Sequence, residues 1–402
     1  MAGILEGLKV IDMGHFVAVP ATGALFADWG AEVIKIEPLD GDAQRGFLDL
    51  RLKLSSNAVN WRFEVHNRNK KSMALNLKTE GGRDILYKLV ERSDVFMTNY
   101  ELEAIKKLKV DYSSLREVNP GIIYALLTGY GTVGPDKDER GFDFAAAWAR
   151  PGIQHLISEV GGAPPQQRGG MMDRTVGMHM AAGILAALFH REKTGQGQEV
   201  FFSLYHSGVW TLAADLQVAL GGQPINQNDR SKAINPLWNA YRTKDDRWIQ
   251  MAMLQADLSW PDFCRAIDRP DLEKDPRFDS LETRAENAEA LIQILDAIFA
   301  TMDMTAWERR LKDNHCIYGR IATAEEVIHD PQAEANEFFT EMEHPQVGKV
   351  KYVNTPVKFL QNPASLRTPS PELGQHTEEI LLELGYSWDE IVTFKEQKAI
   401  IE

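Results

Sequence analysis

LKVIDMGHFVAVPATGALFADWGAEVIKIE, residues 8–37, reads as strand, helix and strand. Leu8–Met13 and Ala31–Glu37 are rich in aliphatic and β-branched residues, while Pro20–Gly30 has the Ala, Leu and Phe content of a helix closed by glycine. Two strands joined through a helix in that order make a right-handed βαβ unit with parallel strands. The pattern recurs downstream. SMALNL (72–77), a helix over Gly81–Arg92 and DVFMTNY (94–100) form a second cycle, and a third ends in GIIYALLTGYG (121–131). The expected fold class is α/β, with a Rossmann-like large domain that takes ligands beyond the carboxyl ends of its strands.

Further along, Arg174–Lys193 is a long Ala, Met and Leu helix, and QEVFFSLYHSGVW (198–210) runs from a strand into another helix. Residues 221–244 are rich in Gly, Asn, Asp and Pro, which marks a linker or a functional loop. From Trp248 to about Thr323 the chain carries amphipathic helices such as Asn287–Phe299 and Thr305–Lys312. The expected organisation is residues 1–205 as the first part of the large domain, 225–325 as a smaller α+β domain, and 330–402 as a C-terminal segment.

The chain of 402 residues has a formal net charge of -14, so nucleic acid and anionic membranes would feel net repulsion. Neither is expected as a partner. Cys264 and Cys316 are the only cysteines, too few for a disulfide framework or a four-cysteine zinc site. The longest apolar stretch, Met178–Phe189, contains His179 and is too short to span a bilayer. The first residues, MAGILEGLKVIDM, lack the basic-then-apolar pattern of a signal peptide. A soluble, cytoplasmic protein is the expectation.

The chemistry points to one carboxylate. GGAPPQQRGGMMDRTVGMHMAAGILAALFHREKTGQGQEVFFSLY (161–205) sets Asp173 after a glycine-rich loop and ahead of a strong helix. Amide donors at a helix start would keep such a carboxylate ionised. An ionised aspartate is adequate against a thioester, and the product is a mixed anhydride. On the residues alone, the preference of aspartate for helix caps favours Asp173 as only the cap of the helix. His15, at the end of the first strand, is open between ligand contact and structural use.

That segment, with LEGLKVIDMGHFVAVPATGALFADWGAEVIKIE (5–37), NKKSMALNLKTEGG (69–82) and PSPELGQHTEEILLELGY (369–386), resembles the family III CoA-transferases, the group of formyl-CoA and carnitine CoA-transferases. Asp173, with Gly169 and Gly177 around it, matches the setting of that family's catalytic aspartate. The resemblance implies transfer of CoA from an acyl-CoA to a free carboxylic acid through an acyl anhydride on Asp173. It implies no metal and no tightly bound cofactor, coenzyme A thioester being the substrate.

By the same resemblance His15, Val17, Ala18, Leu75, Lys78, Asn99, Tyr100 and Lys107 correspond to CoA-contacting positions. The basic residues Arg68, Lys70, Lys71 and Lys78, and Lys106, Lys107 and Lys109, are candidates for the phosphates, although such runs are often only solvated faces. Val17 and Pro38 stand where the formyl-CoA branch has a glutamine and an arginine, so a phosphate contact is expected to move, with Arg45 a candidate. GYGTVGPDKDERGFDFAAAWARPG (129–152) is most similar to the branch acting on 2-hydroxy and aryl acids, phenyllactate and benzylsuccinate CoA-transferases among them. Phe142, Trp148 and Met172 are the candidate pocket for a branched, aromatic or 2-hydroxy acid, or else simply core. Phe142 stands where the family's racemase branch has a histidine base, which disfavours an acyl-CoA racemase or epimerase. A non-catalytic CoA-binding subunit is the other alternative. The resemblance further implies an interlocked ring homodimer, with or without a second homologous subunit, and a C-terminal segment that returns to the large domain.

Overall fold

The computed structural model of the chain describes residues 3–46 and 59–401. Six strands, β1 (Lys9–Met13), β2 (Glu32–Glu37), β3 (Lys71–Ala74), β4 (Val95–Thr98), β5 (Ile123–Thr128) and β6 (Gln198–Ser203), form one parallel sheet in the order β3-β2-β1-β4-β5-β6. Parallel strands need crossover connections, and these cover both faces, so the strands read as nearly continuous apolar runs. Val95, Phe96 and Met97 are fully buried.

Alternate residues serve opposite cores. Val10, Val33, Met97, Ala125 and Leu127 face α1 (Ala18–Asp28) and the long helix Met171–Thr194. Ile11, Ile34, Phe96, Tyr124 and Leu126 face α3 (Glu80–Glu91) and residues of the C-terminal segment. Between these helices in sequence lie α2 (Trp61–Asn67) and α4 (Leu102–Leu108), and α5 runs from Met171 to Thr194. After β6 come α6 (Leu204–Thr211) and α7 (Ala213–Leu220).

The chain sorts into two compact units. The larger comprises Met1–Ile153, Gln166–Pro224 and Glu334–Glu402, and the smaller Gln154–Pro165 and Ile225–Ala333, so residues 154–165 belong with the smaller unit rather than with the residues on either side of them. The smaller unit has an antiparallel sheet of β7 (Ala240–Arg242), β8 (Trp248–Met251) and β9 (Tyr318–Arg320) with helices α8 (Ala256–Ala266), α9 (Ala288–Phe299) and α10 (Met304–Asp313). Its core is aromatic: Phe299 stacks on Tyr241 at 4.8 Å, and Trp307 donates its indole N–H to the Phe299 carbonyl. Cys264 and Cys316 are free and buried.

The C-terminal segment packs within the larger unit. The hairpin β10 (Phe339–His344) and β11 (Gly348–Val353) is tied to α2, where buried Glu64 accepts from the Tyr352 hydroxyl at 2.9 Å and the Ser370 amide at 2.9 Å. Helix α11 (Thr377–Glu383) buries Ile380 and Leu381 against the sheet, and α12 (Trp388–Glu396) follows it. Among the described residues no single helix is long and apolar enough to cross a membrane.

Candidate active site

In an open α/β sheet the neighbours of the switch strand diverge, and the crevice outside their carboxyl ends is where a ligand fits. Here β1 is followed in sequence by β2 on one side and paired with β4 on the other. A cleft of about 300 Å³ opens beyond those two strand ends and is confined to the larger unit. Its walls are the β1–α1 turn (His15, Phe16, Val17, Ala18), the β4–α4 turn (Asn99, Tyr100, Leu102), the end of β5, the run Lys137–Asp143, and Leu204. Asp173 opens into the same cleft.

The two turns are stitched together. His15 donates its amide N–H to the Asn99 side chain at 2.9 Å, and the Asn99 amide returns a bond to the His15 carbonyl at 2.9 Å. Phe16 takes a left-handed backbone conformation with φ of 61°, unusual for an aromatic residue. Its N–H is held by Asp42 at 3.1 Å, and Asp42 is itself held by fully buried Lys35 at 2.9 Å. Lys35 also donates to the Gly14 carbonyl at 2.8 Å. The ring so placed meets Phe142 edge to face at 5.4 Å. Burial depresses the His15 imidazole below its usual range, against the pull of Asp42, so the ring is neutral at pH 7. Burial also pushes the Tyr100 phenol up to about 12.

Asp173 is not the residue that caps α5. The helix begins at Met171, earlier than the apolar run suggests, with Gly170 as its cap at φ of 76°. A side chain on Gly170 would be strained at that φ and would lie 3.3 Å from Val17, so glycine is required. The helix-start amides are taken by Asp143, which accepts from Gly170 N–H at 2.7 Å and from Met172 N–H at 3.1 Å. Asp173 sits in the first turn, half-buried, and its carboxyl is pushed up to about 7, first by burial and then by the Asp143 charge, against Arg174. The expectation that helix-start donors keep it ionised is thereby corrected. Gly177 serves packing: a Cβ there would lie 3.3 Å from the Ala18 carbonyl, and Thr22 of α1 donates to the Gly177 carbonyl at 3.2 Å.

Of the residues singled out from the sequence, His15, Val17, Ala18, Asn99, Tyr100, Phe142 and Asp173 meet in this cleft. Leu75, Lys78, Lys107, Trp148 and Met172 do not line it. Leu75 is buried and bridged to Ile400, Lys78 and Lys107 are exposed away from the cleft walls, and Met172 and Trp148 pack into the core between α1, α5 and the sheet.

The basic run 68–71 is also structural. Arg68 is paired with Asp28 at 2.7 Å, Lys70 with Asp12 at 2.7 Å, both buried, and Lys71 with Glu379 at 2.7 Å. Arg45 is committed too: it grips Glu37 at 2.7 Å through two nitrogens, donates to the Pro371 carbonyl at 3.1 Å and lies 4.2 Å over the Phe63 ring. A phosphate role for it is withdrawn. Among the described residues, the cations that do border the cleft are Lys137 and Arg140, exposed and paired with Asp138 and Glu101 respectively. The reading of the sequence passed over them, and over Phe16 and Leu102. Lys137 and Arg140 carried a visible signal, two cations in a polar run after a strand end. Phe16 carried none.

Among the described residues no cluster of His, Cys, Asp or Glu could hold a metal ion. The sequence pattern of CoA-transferase family III matches residues 5–377. The chain is 34% identical, over 99% of both chains, to the (R)-2-hydroxy-4-methylpentanoate CoA-transferase of Clostridioides difficile. It is 35% identical to the cinnamoyl-CoA:phenyllactate CoA-transferase of Clostridium sporogenes, over 99% of this chain and 97% of that one. Among solved structures, a CAIB/BAIF family protein from Brucella suis superposes with a TM-score of 0.83 at 27% identity, covering 96% of this chain and 100% of the other.

Proposed function

This chain belongs to CoA-transferase family III, and from that premise we propose that Asp173 is the acyl acceptor through which it passes CoA from an acyl-CoA donor to a free carboxylic acid. One observation carries the reading: a half-buried carboxylate, raised to about 7, opens into the cleft beyond β1 and β4. A carboxylate that is costly to ionise is a better nucleophile than an ordinary aspartate. In the forward step an Asp173 oxygen bonds to the thioester carbon, the C–S bond breaks, and CoA leaves as thiolate. The thiolate then attacks the aspartyl carbonyl and frees the donor acid. That leaves an aspartyl-CoA thioester, whose C–S bond breaks as the acceptor carboxylate attacks the aspartyl carbonyl to form a second anhydride and release CoA thiolate; thiolate attack on the acceptor acyl carbon then releases the new acyl-CoA and restores Asp173. All bonds exchanged are activated acyl bonds, so the protein's work is positioning and charge.

His15, Val17, Ala18, Asn99 and Tyr100 are the residues we assign to CoA, with Lys137 and Arg140 at the mouth for its phosphates. For the acyl group, Phe16, Phe142, Leu127 and Leu204 give an apolar lining that suits a branched or aromatic acid. The activities that name the two relatives, on a branched 2-hydroxy acid and on phenyllactate, support that class. A homodimer belongs to this reading, since Phe189, Phe201, Trp210 and Leu220 leave apolar surface exposed on the larger unit for a second copy to cover.

The test is trapping. Incubation with acyl-CoA and hydroxylamine or borohydride, followed by peptide mass spectrometry, is expected to mark Asp173, and a mark on another residue would overturn the assignment. A panel of donors and acids read by mass spectrometry tests the substrate class, which preference for oxalate would refute.

A further inference from the structure

The scheme above leaves one buried carboxylate of the site unused. Asp143 follows Phe142 at the start of a π-helical turn, Asp143–Ala149, and is 3% exposed. A helix start offers unpaired N–H groups and a partial positive charge, which stabilise whichever anion sits there. In α5 that anion is Asp143, through Gly170 and Met172, although Asp173 lies on the same turn. Asp173 is left facing the cleft beside a like charge, with its helix's own donors spent on its neighbour.

We propose that Asp143 is a positioning residue for Asp173: it fixes the turn that presents Asp173 to the cleft, and its negative charge makes that carboxylate a stronger nucleophile than a helix-start aspartate would otherwise be. The inference rests on the reading of Asp173 as acyl acceptor. Its physical basis is that two neighbouring anions raise each other's energy, and acyl transfer removes one of them. When an Asp173 oxygen bonds to the acyl carbon, the C–S bond breaks and the negative charge departs on the thiolate. The aspartyl anhydride is neutral, so the repulsion from Asp143 is present before the step and absent after it.

The surroundings bear on both carboxyls. Burial acts first on Asp173, the Asp143 charge second, and Arg174 opposes. Arg174 is turned back onto the Gly170 carbonyl at 2.8 Å, and Arg62 and His66 of α2 face it. Burial also lifts Asp143, and the amides of Gly170, Met172, Asp173 and Met171 pull it back. Because those amides stabilise its anion, Asp143 keeps the charge and Asp173 takes the proton. His15, across the cleft, is neutral.

A role as helix cap alone makes a different forecast: Asp143→Asn, which keeps only one of the two accepting oxygens, would lose stability but leave the pH of the acid limb where it is. Asp143→Asn therefore separates the two. In wild type the acid limb of kcat/KM against pH is expected near pH 7. In Asp143→Asn it is expected to fall by about one pH unit, and the plateau rate above pH 8 by up to about tenfold. Asp143→Glu retains the charge and is expected to hold the limb near pH 7 even where it melts earlier. An Asp143→Asn limb at the wild-type pH, or an Asp143→Glu limb displaced as far as that of Asp143→Asn, overturns the proposal. Trapping runs alongside: if wild type carries no acyl label on Asp173, the acceptor reading itself fails, whereas a label on Asp173 with an unmoved limb sinks only the role given to Asp143.

Discussion

Replacing Asp173 by asparagine should stabilise the protein, and increasingly so as pH rises. In the folded chain the carboxyl is pushed from 3.8 up to about 7. The folded form thus holds a proton that the unfolded form gives up at lower pH. Between about pH 4 and pH 7 the unfolded state binds fewer protons, so each step upward in pH favours unfolding. Above pH 7 the penalty is constant. At roughly 1.36 kcal/mol for each tenfold change in proton affinity it amounts to about 4 kcal/mol as an upper value. Partial solvent access to Asp173 lowers that to about 2 kcal/mol. Asparagine has nearly the same shape and no charge, so Asp173→Asn escapes the penalty, and the Asp143 anion is relieved with it. The assay is urea denaturation followed by tryptophan fluorescence, wild type and variant side by side at pH 4.5 and pH 8.5. A gain of about 0.5–1 kcal/mol for the variant at the lower pH and of about 2–4 kcal/mol at the higher one is expected. A variant equal to or weaker than wild type at pH 8.5, or gaining equally at both, would refute the claim that Asp173 is ionised at a cost.

Arg45→Ala strands Glu37, which is almost fully buried, without its two-nitrogen partner, and should lower stability by about 3–5 kcal/mol while the KM for acyl-CoA stays within about twofold. A large rise in KM at unchanged stability would return Arg45 to the phosphates. Lys137→Ala and Arg140→Ala should each raise the KM for acyl-CoA up to about tenfold, less so at high salt, with kcat little changed, because both stand at the mouth of the cleft and away from Asp173's reaction. Steady-state kinetics at two ionic strengths checks this, and salt-independent wild-type values would remove both from the CoA site. In deuterium oxide the α-carbon of a chiral acyl-CoA should keep its proton, since Phe142 has no group to move one. Exchange seen by mass spectrometry would bring back proton-transfer chemistry.

What the sequence determined by itself was the local and the periodic. The runs 8–13, 31–37 and 94–100 gave up the parallel sheet because strands buried on both faces must be apolar throughout, and the helices between them must be long enough to cross over. Ligand placement at strand ends followed from that topology, which is why His15, Asn99 and Tyr100 were legible. Asp173 was legible as a lone carboxylate between glycines and a long helix, but its environment was not. Which carboxylate takes the α5 amides depends on Asp143, 27 residues upstream of Gly170, and nothing local in either segment encodes the meeting. The same reason misled the reading of charge. A sequence displays Arg68, Lys70 and Lys71 as a basic cluster, and only the folded chain brings Asp28, Asp12 and Glu379 against them. The left-handed turn at Phe16 is likewise tertiary, held by Asp42 from beyond the next strand and, through Asp42, by Lys35 on that strand. Hydrophobic periodicity is a property of neighbours along the chain, whereas the energy of a buried charge is set by partners that are neighbours only in space.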